Sequence, residues 1–224
     1  MASTDQPRRA KPTPAAVVSG PASITPLFPL LLLETMRDMD LPEEVLEDED
    51  VSISLPRRLG LSDVIGGQIR RLQGEVRAKR PQSPAYVADL IRLVIRRPDA
   101  QRIFEEAGRR VARHFWERRA GTTRRLVRIL PGPFARVAAN RALRRMFQQL
   151  VGDRDFSVRR WPADLRISRS LSVEADPGGA ACAIYAGAFG ELLHSYTGRE
   201  YRIRHHECLA HGGAACRWTV EVMS

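Results

Sequence analysis

A cluster of metal-ligating residue types lies near the end of the chain. The segment 205–218, HHECLAHGGAACRW, contains three His, one Glu and two of the three Cys of the chain. The third cysteine, Cys182, lies upstream in GGAACAIYAGAF. Soft thiolates and an imidazole are ligands that Zn²⁺ prefers, and three Cys with one His complete a tetrahedral site. The sequence therefore predicts a zinc site formed by Cys182, His205, Cys208 and Cys216.

The same residues leave other interpretations open. His206, Glu207 and His211 are rival fourth ligands, because they lie in the same segment. The cysteines could instead be buried as small apolar side chains, since their spacing contains no C-x-x-C pair and matches no standard zinc finger. A catalytic cysteine with a histidine base is the third interpretation, although nothing in the sequence fixes the geometry of such a pair.

The elements around the cysteines explain how one ion could hold them together. A helix is predicted from about 181 to 196, and its N-terminus at Cys182 favours a thiolate. The segments EYRIRHH and ACRWTVEV alternate as strands. This pattern places His205 and Cys208 at the end of one strand and Cys216 at the start of the returning strand. One ion would then join the helix to a hairpin.

The residues before this region have mainly helical periodicity. Helices are predicted for 27–38, from Ser62, from Ser83 with Pro84 at the first helical position, from Pro98, and for 134–150. The last of these is expected to use Val137, Leu143, Phe147 and Leu150 on one apolar face. After residue 152, DFSVRRW, LRISRS and LSVEAD alternate as short strands. Helices followed by strands around one inserted helix predict an α+β fold with an antiparallel sheet.

Length and composition limit the class of protein. A chain of 224 residues can bury a core without disulfides, and only three Cys favour a reducing, cytoplasmic setting. Residues 1–23 are rich in Pro, Ala and Ser and are predicted to be a disordered tail, followed by an N-terminal extension over 24–60 and a domain over 61–224. The apolar run LFPLLLLETM is too short to span a bilayer, and the first residues lack a signal-peptide pattern.

The net charge of +10 comes almost entirely from arginine. An arginine bias beside much Ala, Gly and Pro is typical of a GC-rich genome, and an anionic surface or nucleic acid as partner is the alternative. The aromatic and lysine interleaving of many single-strand binders is missing, so nucleic acid is not the expected partner. The arginines that would form such a surface are Arg109, Arg110, Arg113, Arg124, Arg125, Arg128, Arg141, Arg144 and Arg145.

Residues 182–222, CAIYAGAFGELLHSYTGREYRIRHHECLAHGGAACRWTVEV, resemble the 4-vinyl reductase domain family. This small-molecule-binding domain is similar to the sensory domains of phenol- and toluene-responsive transcription activators and to a bacteriochlorophyll-pathway protein. The zinc ligands of the aromatic-sensing members are Cys, then Glu-x-x-Cys, then seven residues and Cys. Their spacing falls on Cys182, His205, Cys208 and Cys216, so that His205 stands where those relatives have Glu.

The resemblance implies a fold similar to the TRAPP transport-particle subunits, with helices packed on one side of a twisted antiparallel sheet, and a homodimer. It implies a cytoplasmic sensor or carrier that binds an apolar or aromatic ligand and acts through a protein partner, with no catalysis of its own. The alternative is an accessory protein of bacteriochlorophyll or tetrapyrrole metabolism that binds a porphyrin-like intermediate. The sequence contains no nucleotide-binding fingerprint such as G-x-G-x-x-G, so a self-sufficient reductase is not expected.

Aromatic residues are the candidates for lining an apolar ligand pocket. Each of them could instead belong to the ordinary core. The candidate lining residues are Phe115, Trp116, Phe147, Trp161, Tyr185 and Phe189. A hydrogen bond to the ligand is expected from His114 or Tyr185.

Overall fold

The computed structural model describes residues 24–40, 63–119, 121–151, 156–159 and 163–222. The helices in these ranges are α1 (Leu27–Met39), α2 (Asp63–Ala78), α3 (Pro84–Val94), α4 (Ala100–Glu117), α5 (Gly121–Ile129), α6 (Gly132–Val151), α7 (Leu171–Ala175) and α8 (Ala183–Thr197). The strands are β1 (Phe156–Arg159), β2 (Asp164–Ile167), β3 (Tyr201–Glu207) and β4 (Cys216–Val222). The predicted α+β class is therefore confirmed.

The strands pair in the order β1-β2-β4-β3, and every pairing is antiparallel. The helix α6 packs on β1 and α8 packs on β3. The register of the β3–β4 hairpin sets His205 opposite Trp218, and a register shift between His205 and Glu207 ends the regular pairing just before Cys208. His205, Cys208 and Cys216 therefore lie near one another on one hairpin, where β3 ends and β4 begins. The likeness to TRAPP subunits remains a prediction.

The core lies where α4 and α6 pack on α8, and where α6 and α8 pack on the sheet. Phe104, Phe147, Phe189 and Trp218 are fully buried there. Burying a side chain of this size contributes roughly 1.5–3 kcal/mol relative to leaving it in water. The aromatic rings of α6 and α8 contact each other edge-on, with 6.5 Å between the centroids of Phe147 and Phe189. The predicted helix and strand patterns thus bury their apolar faces in one cluster.

The helix α1 belongs to the same core as the predicted domain. Its residues Leu32 and Leu33 are fully buried, and α1 packs against α2 and α4. Ion pairs at its end join Asp38 to Arg110 and Asp40 to Arg97. The predicted disordered tail over 1–23 lies outside the described residues. None of the described helices is long and apolar enough to cross a membrane.

Two local predictions are wrong. The segment LSVEAD contains the helix α7, not a strand, and its Ser170 and Ser172 hydroxyls hydrogen-bond to Tyr185 in α8. In α6, Val137 is 68% exposed. The contact with the core is made by small residues of α6, because Ala135, Ala139 and Ala142 occupy the buried face and let the helix approach closely.

Candidate metal centre

Three thiols converge between the start of α8 and the β3–β4 hairpin. The Sγ atoms of Cys182 and Cys208 lie 3.9 Å apart, those of Cys182 and Cys216 lie 3.8 Å apart, and those of Cys208 and Cys216 lie 3.8 Å apart. All three side chains are buried and none forms a disulfide. The residues therefore form a nearly equilateral triangle of sulfurs, although they come from three separate places in the chain.

The size of this triangle fits a metal ion. Sulfurs bound at about 2.3 Å to a tetrahedral zinc ion lie about 3.8 Å from one another. A disulfide would require its two sulfurs about 2.05 Å apart, so the triangle is too wide for one. Among the described residues, only these three cysteines form a group of metal-ligating atoms that lie within 4.8 Å of one another.

Cys182 is held by a short turn that begins at Asp176. This buried carboxylate accepts hydrogen bonds from the backbone N–H of Gly178 at 2.9 Å and of Ala181 at 2.7 Å. The turn leads into a 3₁₀ helix, Ala180–Cys182, and then directly into α8. Sequence reasoning missed Asp176 as a positioning residue. The signal was present in DPGGA, since an Asp two residues before a Gly commonly bonds the backbone of its own turn.

The other two cysteines lie on either side of a tight loop. The backbone N–H groups of His211 and Gly213 donate to the carbonyl of Cys208 at 3.0 and 2.9 Å, and Gly212 has a φ of +82°. The N–H of Leu209 donates to the sulfur of Cys216 at 3.4 Å. Hydrogen bonds from the backbone to sulfur orient a thiolate and stabilise its charge, as the outer partners of a metal site do. The loop therefore supplies two ligands in a fixed orientation.

The close approach of the turn before α8 to the β3–β4 hairpin requires glycine at position 179. Gly179 has a φ of +81°, and a Cβ at this position would lie 3.3 Å from the sulfur of Cys208. A side chain here would be strained by the backbone and would crowd the thiol. The turn before α8 can therefore reach the hairpin only because residue 179 has no side chain.

The protonation of the thiols is unequal. A hydrogen bond from Cys182 makes the largest contribution to lowering the pKa of Cys216 to about 4, and contacts with His205 and the Leu209 N–H act in the same direction against the effect of burial. The pKa of Cys182 is raised, first by its hydrogen bond to Cys216 and then by burial. Burial also raises the pKa of Cys208. Cys216 is therefore the thiol that ionises most readily of the three, and a bound cation would favour the thiolate form of all of them.

His205 is near the thiols but is not part of the triangle. Its ring stacks on Trp218, with 4.5 Å between centroids and 9° between planes, and it hydrogen-bonds to Cys216. His206 and Glu207, two of the alternative fourth ligands, form hydrogen bonds elsewhere on the hairpin. His206 bonds to Thr219 Oγ1 at 2.6 Å, and Glu207 accepts from the N–H of Ala214 at 2.8 Å.

The imidazole of His211 also lies near the cluster. Its Cε1 is 3.8 Å from the position that a Cβ on Gly179 would take, the same position that lies 3.3 Å from the sulfur of Cys208. His205 and His211 both border a cavity of about 850 Å³ beside the thiols. The imidazoles of His205 and His211 are therefore the two candidates near the thiols for the fourth position of a tetrahedral ion.

The predicted ligand-lining aromatics do not converge on one cavity. Phe147, Tyr185 and Phe189 are buried together in the core, whereas Phe115 borders a cavity of about 730 Å³ and Trp116 borders a different one of about 600 Å³. Trp161 lies outside the described residues. Burial raises the pKa of Tyr185 to about 12, and its hydroxyl is engaged by two serines. A ligand pocket made by these residues stays a prediction.

Several of the arginines predicted for an anionic surface already have partners. Arg109 pairs with Glu105, Arg110 with Asp38, and Arg113 with both Glu106 and Glu191. Arg144 donates to the backbone carbonyl of Val158 at 2.9 Å. These contacts give the α4 arginines a structural role in joining α1, α4 and α8.

Comparisons with known proteins add no relative. No protein-family model matches the chain, and neither the curated proteins nor the solved structures contain a significant match. The interpretation of the site therefore depends on its own geometry.

Proposed function

We propose that this chain is a small-molecule-binding domain whose start of α8 and β3–β4 hairpin are held together by one structural zinc ion. The observation that supports a zinc ion is the triangle of cysteine sulfurs, with sides of 3.8–3.9 Å. Three thiolates suit zinc better than calcium or magnesium, which prefer oxygen ligands. In this role the ion supplies stability, and the residues Asp176 and Leu209 hold the ligands in place.

The ligand-binding half of the proposal has separate support. The segment 182–222 resembles the 4-vinyl reductase domain family, and cavities of several hundred Å³ border the helices around the core. Cavities of this size are typical of small-molecule sites. We propose that the domain acts as a sensor or a carrier through a partner protein, with the zinc outside the ligand site.

Metal analysis of the purified protein tests the zinc. We expect about one zinc ion per chain in the wild type, and loss of most of it in each of Cys182→Ser, Cys208→Ser and Cys216→Ser. His206→Ala is the matched control, because His206 lies on the same hairpin but bonds to Thr219. A wild-type protein that contains no metal, and whose melting temperature does not change with a chelator, would contradict the proposal.

Native mass spectrometry tests the ligand. We expect an additional mass beyond the chain and zinc, which denaturing conditions release as a small organic molecule. The same spectrum reports whether the chain is a dimer. A native mass equal to the chain plus zinc alone would count against ligand binding and leave the metal site untouched.

A further inference from the structure

A second cavity lies on the helical side of the molecule, away from the thiols. It has a volume of about 730 Å³ and shares no lining residue with the sulfur triangle. It is bordered by the start of α1, the end of α2, the last turn of α4 and the second half of α6.

One side of the cavity is apolar and fixed. Leu27 and Ile24 are buried, and Val76 and Phe115 are partly buried against the core. The position of Ile24 is set by two backbone hydrogen bonds with Gln82, of 3.0 and 2.8 Å. A preformed apolar wall of this kind suits the hydrocarbon or aromatic part of a ligand.

The other side carries an excess of positive charge. Lys79, Arg118, Arg119 and Arg145 line the cavity, and no Asp or Glu of the described residues lines it. Lys79, Arg118 and Arg145 form no ion pair with any carboxylate of the described residues, whereas Arg110 of α4 is paired with Asp38. Arg119 donates a hydrogen bond toward Tyr196. Three cations that line one cavity repel one another, and an anion bound there would relieve that repulsion.

One further feature singles out this cavity. The Nε2 atom of His114 is buried and has no hydrogen-bond partner among the described residues. Buried polar atoms of this kind are uncommon in folded proteins unless a water or a ligand satisfies them.

We infer that this cavity binds an organic anion with an apolar body, such as a hydrophobic carboxylate, with the body against Phe115 and Val76. Arg118, Arg145 and Lys79 contact the anionic group, and His114 hydrogen-bonds to a polar atom of the ligand. Guanidinium groups suit a carboxylate because they offer paired donors in a plane. This inference rests on the proposed small-molecule-binding function and names the site and the class of ligand.

A matched pair of fluorescent probes tests the inference: 1-pyrenebutyrate and its uncharged analogue 1-pyrenebutanol share the same apolar body. Binding is measured by fluorescence anisotropy with the full chain in its zinc-loaded form. We expect pyrenebutyrate to bind more tightly than pyrenebutanol. Arg118→Gln and Arg145→Gln should each weaken pyrenebutyrate by about tenfold and leave pyrenebutanol unchanged. Arg166→Gln, an exposed arginine on β2, is the control and should change neither.

The outcomes separate this site from the wider function. Equal affinities for the two probes, or an effect of Arg118→Gln no larger than that of Arg166→Gln, would overturn the site. If a co-purified molecule is found by native mass spectrometry and the Arg118→Gln and Arg145→Gln variants retain it as well as the wild type, the ligand-binding function stands and this site falls. Loss of that molecule from both variants, but not from Arg166→Gln, supports the site. All variants change exposed side chains, so circular dichroism should show intact folding.

Discussion

Gly108 of α4 and Gly187 of α8 meet where the two helices cross, and each lies against the backbone of the other helix. A Cβ on Gly108 would lie 2.1 Å from the carbonyl oxygen of Ile184, and a Cβ on Gly187 would lie 2.1 Å from that of Glu105. Real Cβ atoms do not approach oxygen so closely. The two helices can pack at this distance only because both positions lack a side chain.

Alanine at either glycine should therefore destabilise the protein. Gly108→Ala and Gly187→Ala must push the two backbones apart, and overpacking of this kind costs typically 1–3 kcal/mol or more. Gly74→Ala in α2 is the control, because a Cβ there meets nothing within 4 Å and alanine favours a helix. Urea unfolding should show a loss for the first two variants and no loss for the third. Equal free energies of unfolding for all three would contradict the crossing.

The second prediction concerns the fourth metal ligand. If His205 completes the site, His205→Ala should weaken zinc binding by more than about 100-fold, since the loss of an outer partner alone costs 10–100-fold. His206→Ala should have no effect, because His206 bonds to Thr219. Zinc affinity is measured by competition with a chromophoric chelator. A large effect of His211→Ala with none of His205→Ala would instead assign the fourth position to His211.

The third prediction concerns the ion pair between α1 and α4. Burial raises the pKa of Asp38, but hydrogen bonds from Arg110 and Arg37 outweigh it, so that the pKa lies below its usual value of 3.8. A carboxyl whose pKa falls on folding stabilises the folded state above the pKa of the unfolded chain. That contribution is lost as the pH falls through the folded pKa.

Asp38→Asn should therefore lower the melting temperature at pH 7 by about 2 °C, from a partly screened pair that contributes roughly 0.5–1 kcal/mol. The difference from the wild type should shrink as the pH falls below about 4. Asp89→Asn is the control, since its pair with Arg92 is exposed within α3. A difference in melting temperature between Asp38→Asn and the wild type that stays constant from pH 7 to pH 3 would contradict a stabilising role of the ion pair.

Local chemistry made part of the fold predictable. Ser83 caps α3 and accepts from the N–H of Tyr86 at 3.2 Å, with Pro84 in the first turn, as the sequence predicts. The cysteines were also predictable as candidate metal ligands from their residue type, and the family resemblance indicated that Cys182, Cys208 and Cys216 share an ion. In both cases the relevant partners are close in sequence or are recognisable by their chemistry.

Other features depend on contacts that the sequence does not display. In α7, the apolar residues Leu171, Val173 and Ala175 alternate as in a strand, and five residues are too few to separate the two periods. The helix is anchored by a tertiary contact, the hydrogen bonds of Ser170 and Ser172 with Tyr185.

In α6 the larger side chain of Val137 suggested a buried position, but the helix packs so closely that its small alanines form the buried face instead. The crossing of α4 and α8 at two glycines could not be predicted either, because the sequence does not show which part of another helix packs against a helical glycine. The position of His205 against Trp218 likewise follows from strand register rather than from composition.

The crossing also places α4 in contact both with the start of α8 and with the second cavity. Gly108 contacts Ile184, two residues after Cys182, while His114 and Phe115 border the second cavity about 9–10 Å farther along the same continuous helix. If binding of an ion by the thiols shifted the first turn of α8 far enough to displace α4, it would also move the wall of that cavity. Binding at the two places would then be linked, and by reciprocity the ligand would change the affinity for zinc by the same factor that zinc changes the affinity for the ligand.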